Sequence, residues 1–369
     1  MVAKGLEGVI VDTSGICRID GDAGRLIYRG YDIHDLASNS IFEEVAYLLW
    51  NGELPTREEL ERLKKQLSFE RTIPDSLKRS LRELPRESNA LDVLRTAISA
   101  LGIQHQLKKP ELADAMIITA KIPTINAAFD RIRRGEEPLD PRADLGHAAN
   151  YLYMMTGREP DPIKEEALDK YLILLADHGM NASTFTARIV ASTWSDLYSS
   201  VVAAICALKG PLHGGAPAPV LQMLKEIGKP ERAEGWLRDH LKDGNRIMGF
   251  GHRLYRTTDP RAEIMRDVAS KSAERSFFEL ARHVEQSGVR ILQEYRPERK
   301  LYTNVEFYSA VVMDSVGLPS DMFTATFAAS RIAGWTANVL EQVANNRLIR
   351  PEIEYTGPVD RKVVPIENR

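Results

Sequence analysis

Three side chains sit in surroundings that suit chemistry: His213 in Gly-Pro-Leu-His-Gly-Gly, His252 in Gly-Phe-Gly-His-Arg-Leu-Tyr-Arg, and Glu306 in Asn-Val-Glu-Phe-Tyr-Ser. A neutral imidazole and a carboxylate can share the proton traffic that turns a methyl group beside a thioester carbonyl into a nucleophile. Arg253, Arg256 and Arg261 follow His252. Guanidinium groups pair bidentately with carboxylate and phosphate, so this cluster suits an anionic substrate such as a dicarboxylate. In outline the residues suit a carbon–carbon condensation.

Each residue also has a plainer reading. Small residues and proline around His213 let backbone approach a ligand closely, and a helix following it would keep the ring neutral and able to donate to an oxygen gaining enolate charge. The alternative is a turn histidine satisfied by backbone. His252 lies close to three permanent cations, which favours a neutral ring; a solvated basic loop is the other reading. A dinucleotide fingerprint does not fit there, because Leu254 stands where the third glycine would be. Glu306 interrupts the apolar run from Leu301 to Val312, where desolvation would raise its pKa toward that of a general base; a buried ion pair with an arginine is equally consistent. Arg331 shares a helical stripe with Phe323, Phe327 and Trp335 at steps of four, so its guanidinium leaves an apolar face and needs an anion, from substrate or protein. Arg350, before Pro351, reads by itself as a surface residue.

The elements that position these groups are read from periodicity. Val9–Asp12, Ile16–Ile19 and Arg25–Tyr28, with glycines between them, predict a small β-hairpin region. The rest of the chain reads as helix, with apolar residues three and four apart and Pro or Gly at the breaks. Thr56 and Glu59 form a capping box before Leu60, Leu63 and Leu67. Asp161-Pro162 opens a helix that runs out near His178, and another starts at Pro219 just after His213. At 369 residues the chain predicts about two domains. Breaks near 210–215 and at Gly317-Leu-Pro319 suggest residues 216–316 as a smaller domain between 1–215 and 317–369, which form a larger one.

Composition narrows the partners. A net charge of −3 gives no broad basic field, so nucleic acid and anionic membrane surfaces are not expected partners. No window approaches the apolar length of a membrane span, and no export signal is evident. Cys17 and Cys206 are isolated, which fits two unpaired thiols in a reducing cytoplasm. His178, His213, His252 and Glu306 lack metal-ligand spacing, and neither a nucleophile elbow nor a P-loop occurs. Asn181-Ala-Ser183 matches a glycosylation acceptor only formally.

These residues resemble the citrate synthase family along almost the whole chain. The blocks are Tyr28–Tyr31, Leu48–Pro55, Asp177–Thr184, Gly210–Gly214, Gly251–Arg261 and Asn304–Tyr308, in the family's order. The resemblance implies an all-α homodimer, with a large domain and a smaller mobile one enclosing a site for acetyl-CoA and oxaloacetate. It implies an acyltransferase that converts acyl to alkyl on transfer, of the citrate (Si)-synthase type in the tricarboxylic acid cycle. No cofactor is implied; the coenzyme A thioester is a substrate. Glu306 would deprotonate the acetyl methyl group, His213 would stabilise the enol oxygen, and His252 would polarise the oxaloacetate ketone. His178, Asn181, Arg261 and Arg331 look like substrate contacts, Phe327 like their packing neighbour, and Arg350 like an arginine reaching the partner's site. Arg256 resembles a coenzyme phosphate contact, with Arg253 beside it.

Two departures stand out. The family pattern has aspartate where this chain has Glu306, and its bacterial members often have Glu-Leu where this chain has Gly179-Met180. Misplacement by about 1 Å can cost roughly 100-fold in rate, so a different acyl preference stays open. The alternatives are 2-methylcitrate synthase using propionyl-CoA, a citryl-CoA lyase, and a non-catalytic helical scaffold that keeps the fold.

Overall fold

A computed structural model describes residues 3–103, 109–214 and 217–369. Three short strands, β1 (Cys17–Asp20), β2 (Arg25–Tyr28) and β3 (Tyr31–Asp32), form an antiparallel sheet in chain order, with Cys17 opposite Tyr28 and Asp20 opposite Arg25. The β1–β2 turn closes when the Asp20 carboxylate accepts the Ala23 N–H at 2.9 Å. Leu26 and Tyr28 point into the core. The first segment expected to be a strand, Val9–Asp12, is exposed and unpaired instead. It has no apolar surface beneath it, with Ile10 89% exposed, and is held by the Asp12 carboxylate on Arg188 at 2.6 Å. An isolated strand without a hydrophobic face gains too little to form.

Most of the remainder is helical, as expected for an all-α chain. In order come α1 (Ile33–Asn39), α2 (Phe42–Asn51), α3 (Arg57–Glu70), α4 (Asp75–Glu83), α5 (Ala90–Gly102), α6 (Leu112–Arg133), α7 (His147–Thr156) and α8 (Pro162–Leu175). There follow α9 (Ala182–Ser192), α10 (Leu197–Leu208), α11 (Pro217–Ile227), α12 (Ala233–Lys242), α13 (Pro260–Ser272), α14 (Arg275–Tyr295), α15 (Val305–Ser315) and α16 (Phe323–Ala344). Local signals explain several starts. Thr56 and Glu59 close the capping box on α3. Asp161 accepts the Lys164 N–H at 3.0 Å, with Pro162 in the first turn of α8.

One continuous apolar core runs from Ile16 to Val343 and buries Trp335 completely. α16 packs against α2, α5, α6, α8, α9 and α10. The helices α11, α13 and α14 pack on α15, and α12 packs on α14; α13 and α15 also reach α8. The domain boundary expected at 215/216 lies outside the described residues. α6 corrects one expectation: among the described residues it is a helix long and apolar enough to cross a membrane. Most of it is buried between other helices, and Asn126 donates from Nδ2 to Ala325 O at 2.9 Å. A core helix surrounded on most sides needs the same composition as a span.

Candidate active site

His178 lies three residues past the end of α8, and close packing fixes this segment. Gly334 on α16 donates its N–H to Ala176 O at 3.0 Å, and a Cβ there would stand 2.3 Å from that oxygen. The Tyr28 hydroxyl donates to Asp177 O at 2.7 Å. His178 is buried, with Nε2 3.3 Å from the Tyr255 hydroxyl and its ring edge-on to His252 at 5.3 Å. Burial first, then Arg261, His252 and Arg331, hold its pKa well below the ordinary value, so it is neutral.

His252 has a defined tautomer. Its Nδ1 accepts the backbone N–H groups of Leu254 at 3.0 Å and Tyr255 at 3.1 Å. The proton of the neutral ring therefore sits on Nε2, which is left as a donor. Burial, followed by the charge of Arg261, pushes its pKa down to about 4. This loop lies against the hairpin: a Cβ on Gly21 would meet Leu254 O at 2.1 Å, and Arg256 N donates to Gly21 O at 2.9 Å.

His213 sits in the turn after α10, its own N–H bonded to Gly210 O. The Ser183 N–H points at its Nε2 at 3.3 Å, and the Ser183 hydroxyl lies 2.8 Å away. That makes Nε2 the acceptor and puts the proton on Nδ1. Burial and then Arg331 bring its pKa down to about 4. Ser183 is held in turn by Trp335, whose Nε1–H donates to its hydroxyl at 3.0 Å.

Glu306 enters from the first turn of α15, where the Asn304 side chain caps the Glu306 N–H at 3.1 Å. Burial raises its pKa to about 7, against the opposing pull of Arg261 and Arg331. This is the range of a general base at neutral pH. No ion pair to Glu306 forms among the described residues, although both arginines face it.

The two buried arginines differ. Arg261 forms a bidentate pair with Asp259, Nε to Oδ1 at 3.0 Å and Nη2 to Oδ2 at 2.8 Å. Arg331 donates from Nε to Leu175 O at 2.6 Å and lies over the Phe327 ring at 4.7 Å. Burial lowers its pKa, and the charge of Asp177 opposes that shift most strongly. Arg331 acts electrostatically on His178, His213 and Glu306, and Arg261 on His178, His252 and Glu306. The three imidazoles and the carboxylate thus converge on two guanidinium groups.

Four expected residues stand apart from this cluster. Asn181 caps α9 through Oδ1 to Thr184 N–H at 3.1 Å, and its Nδ2 reaches the backbone oxygens of His178 and Gly179; it holds the site's frame with its own polar atoms committed. Arg253 is exposed. Arg256 is exposed and pairs with Asp22 at 3.2 Å. Arg350 lies on the exposed chain after α16 and does not reach the cluster within one chain. Conversely, Ser183, Tyr255 and Asp259 belong to the site without having been singled out. Asp259 alone left a local trace, an Asp-Pro pair before a helix.

The family described as Citrate synthase, C-terminal domain, matches residues 5–352. Citrate synthase 2 of Bacillus subtilis is 47% identical over 99% of each chain. The structure of citrate synthase from Thermotoga maritima is 43% identical with a TM-score of 0.89, covering 100% of this chain and 99% of that one. The Thermoplasma acidophilum citrate synthase, solved as a ternary complex with carboxymethyl coenzyme A and oxaloacetate, is 35% identical with a TM-score of 0.92, covering 100% of this chain and 99% of that one.

Proposed function

The chain belongs to the citrate synthase family, and from that premise we propose that it condenses acetyl-CoA with oxaloacetate and hydrolyses the resulting citryl thioester to citrate and coenzyme A. The observation that carries this reading is the convergence of three neutral imidazoles and a carboxylate of pKa about 7 on Arg261 and Arg331.

Glu306 removes a proton from the acetyl methyl group while Nδ1–H of His213 donates to the thioester oxygen, so the enol forms without a free enolate charge. Nε2–H of His252 donates to the oxaloacetate ketone and makes its carbon electrophilic. Arg261, Arg331 and His178 hold the carboxylates, and the enol carbon attacks the ketone carbon. Water then cleaves the thioester, releasing citrate and the coenzyme A thiol. No cofactor takes part. The longer stem of Glu306 is accommodated by a retracted backbone or rotamer.

Residues 216–316 act as the smaller domain, closing on 1–215 and 317–369 to exclude water from the enol. Two chains pair, and Arg350 of one completes the other's site; Arg256 and Arg253 meet the coenzyme phosphates. The enzyme works in the cytoplasm as a soluble protein.

Mixing the protein with oxaloacetate and either acetyl-CoA or propionyl-CoA, and following free thiol, tests the reading. Faster release with acetyl-CoA is expected. Faster release with propionyl-CoA would reassign it as a 2-methylcitrate synthase, since one methylene is worth only about 1–3 kcal/mol of discrimination. No release with either would leave the scaffold reading. For the dimer, mixing Arg350→Ala and His252→Ala chains should restore activity through hybrid sites; failure after confirmed subunit exchange would exclude Arg350 from the partner's site.

A further inference from the structure

A cavity of about 640 Å³ opens among α1, α2, α7 and α8 and shares no residue with the cluster around Arg261 and Arg331. Its size falls within that of small-molecule sites, roughly 300–1,000 Å³. Five carboxylates line it, against the ammonium groups of Lys64 and Lys170. Glu43 accepts the His147 N–H through Oε1 at 2.9 Å, and Asp169 accepts the Phe42 N–H through Oδ1 at 3.1 Å. Each caps a helix with one oxygen and has no hydrogen bond to the other among the described residues.

His147 supplies an independent observation. It lines the same cavity, is only 2% exposed, and neither ring nitrogen has a hydrogen-bond partner among the described residues. Its ring packs on Phe42 at 4.9 Å, and burial with the nearby Arg71 charge keeps it neutral. An unpartnered buried polar group is costly unless something meets it. Burial first, then the charge of Glu43, raises Glu165 from its ordinary value and Asp169 well above its own, as crowded, partly buried carboxylates require.

We propose that this cavity binds a small organic polycation, an oligoamine whose several N–H donors meet Glu43, Glu165, Asp169 and the imidazole of His147. A bare metal ion fits less well, because no group of three or more potential ligands converges among the described residues. The proposal does not depend on the condensation reading.

Calorimetry at low salt, with spermidine as probe and magnesium chloride at matched ionic strength as control, tests it on the full chain. Saturable binding of spermidine, one per chain, is expected, with magnesium failing to compete. Glu165→Gln should weaken it about tenfold, the usual loss for a hydrogen bond to a charged group. His147→Phe, which keeps the ring contact with Phe42, should weaken it as well. Absence of saturable binding, equal binding of magnesium, or unchanged affinity in Glu165→Gln would overturn the proposal. Glu165 is half-buried and its carboxylate makes no hydrogen bond among the described residues, so that variant decides even if His147→Phe does not fold.

Discussion

The two walls of the cluster around Arg261 and Arg331 hold their charges by different means. On one, Arg331 leans on a backbone oxygen and the face of Phe327, while His178 is fixed by the contact of Gly334 with Ala176. These anchors belong to the common core. On the other, Asp259 does several tasks: it caps α13, grips Arg261, and accepts the Val305 N–H at 3.2 Å at the start of α15. Glu306 is the next residue. One wall takes its placement from the close contact of α16 with the end of α8, whereas in the other a single carboxylate ties α13 to the start of α15 and so fixes Arg261 relative to Glu306.

The harshest challenge to the second wall is Glu306→Gln. Turnover should fall about 1,000-fold, within the usual range for loss of a general base, while calorimetry shows oxaloacetate binding nearly unchanged. Near-normal turnover would remove Glu306 from its role. In the unsubstituted enzyme kcat/KM should fall as pH drops through about 7, where this carboxylate protonates, because His213 and His252 titrate near 4. The stability effect has the opposite sign. A carboxyl pKa raised from 4.5 to about 7 means the folded state binds the proton more tightly than the unfolded one. Stability is therefore lost as pH rises between those values, and above 7 the ionised group costs about 3 kcal/mol. Urea unfolding at pH 8 should find Glu306→Gln more stable than the parent by that order; equal stability would refute the raised pKa.

Asp259→Asn should come next, costing about 3 kcal/mol because it leaves Arg261 buried without its counter-charge. It should also raise KM for oxaloacetate roughly tenfold through the loosened guanidinium. A loss of stability with unchanged kinetics would separate Asp259 from the site. The matching test of the core-anchored wall is Gly334→Ala, whose Cβ must push on the Ala176 carbonyl oxygen. About 2 kcal/mol of destabilisation is expected by thermal or urea unfolding; a neutral result would mean that this wall yields as readily as the other. The smallest effect belongs to Arg256→Ala. Its side chain is exposed and paired with Asp22, so KM for acetyl-CoA should rise about threefold at low salt and the difference should vanish at high salt. An unchanged KM at low salt would exclude it from coenzyme binding.

Much of this was legible in the chain itself. The motifs around His213, His252 and Glu306 and the stripe bearing Arg331 led to the residues that converge, and the caps at Thr56 and Asp161 gave true helix starts. What stayed hidden depends on partners far apart in sequence. The Ser183 N–H on His213 and the Tyr28 hydroxyl on Asp177 leave no periodic signature, because neither partner alters the pattern of its own element. Val9–Asp12 misled for the converse reason: its alternation suits a strand, but the fold offers it no neighbour. Arg350 has no local context at all, since its proposed role depends on a second chain.

The burial of α6 has a consequence in time as well as in space. Its neighbour α16 begins roughly 190 residues after α6 ends, which at ordinary synthesis rates of about 5–20 residues per second is a delay of about 10–40 s. Throughout that interval this long apolar helix lacks the neighbour that covers one of its faces. The late contacts that make it a core element in the finished fold therefore leave it, on the ribosome, open for that time to chaperones, to aggregation and to mistaken insertion.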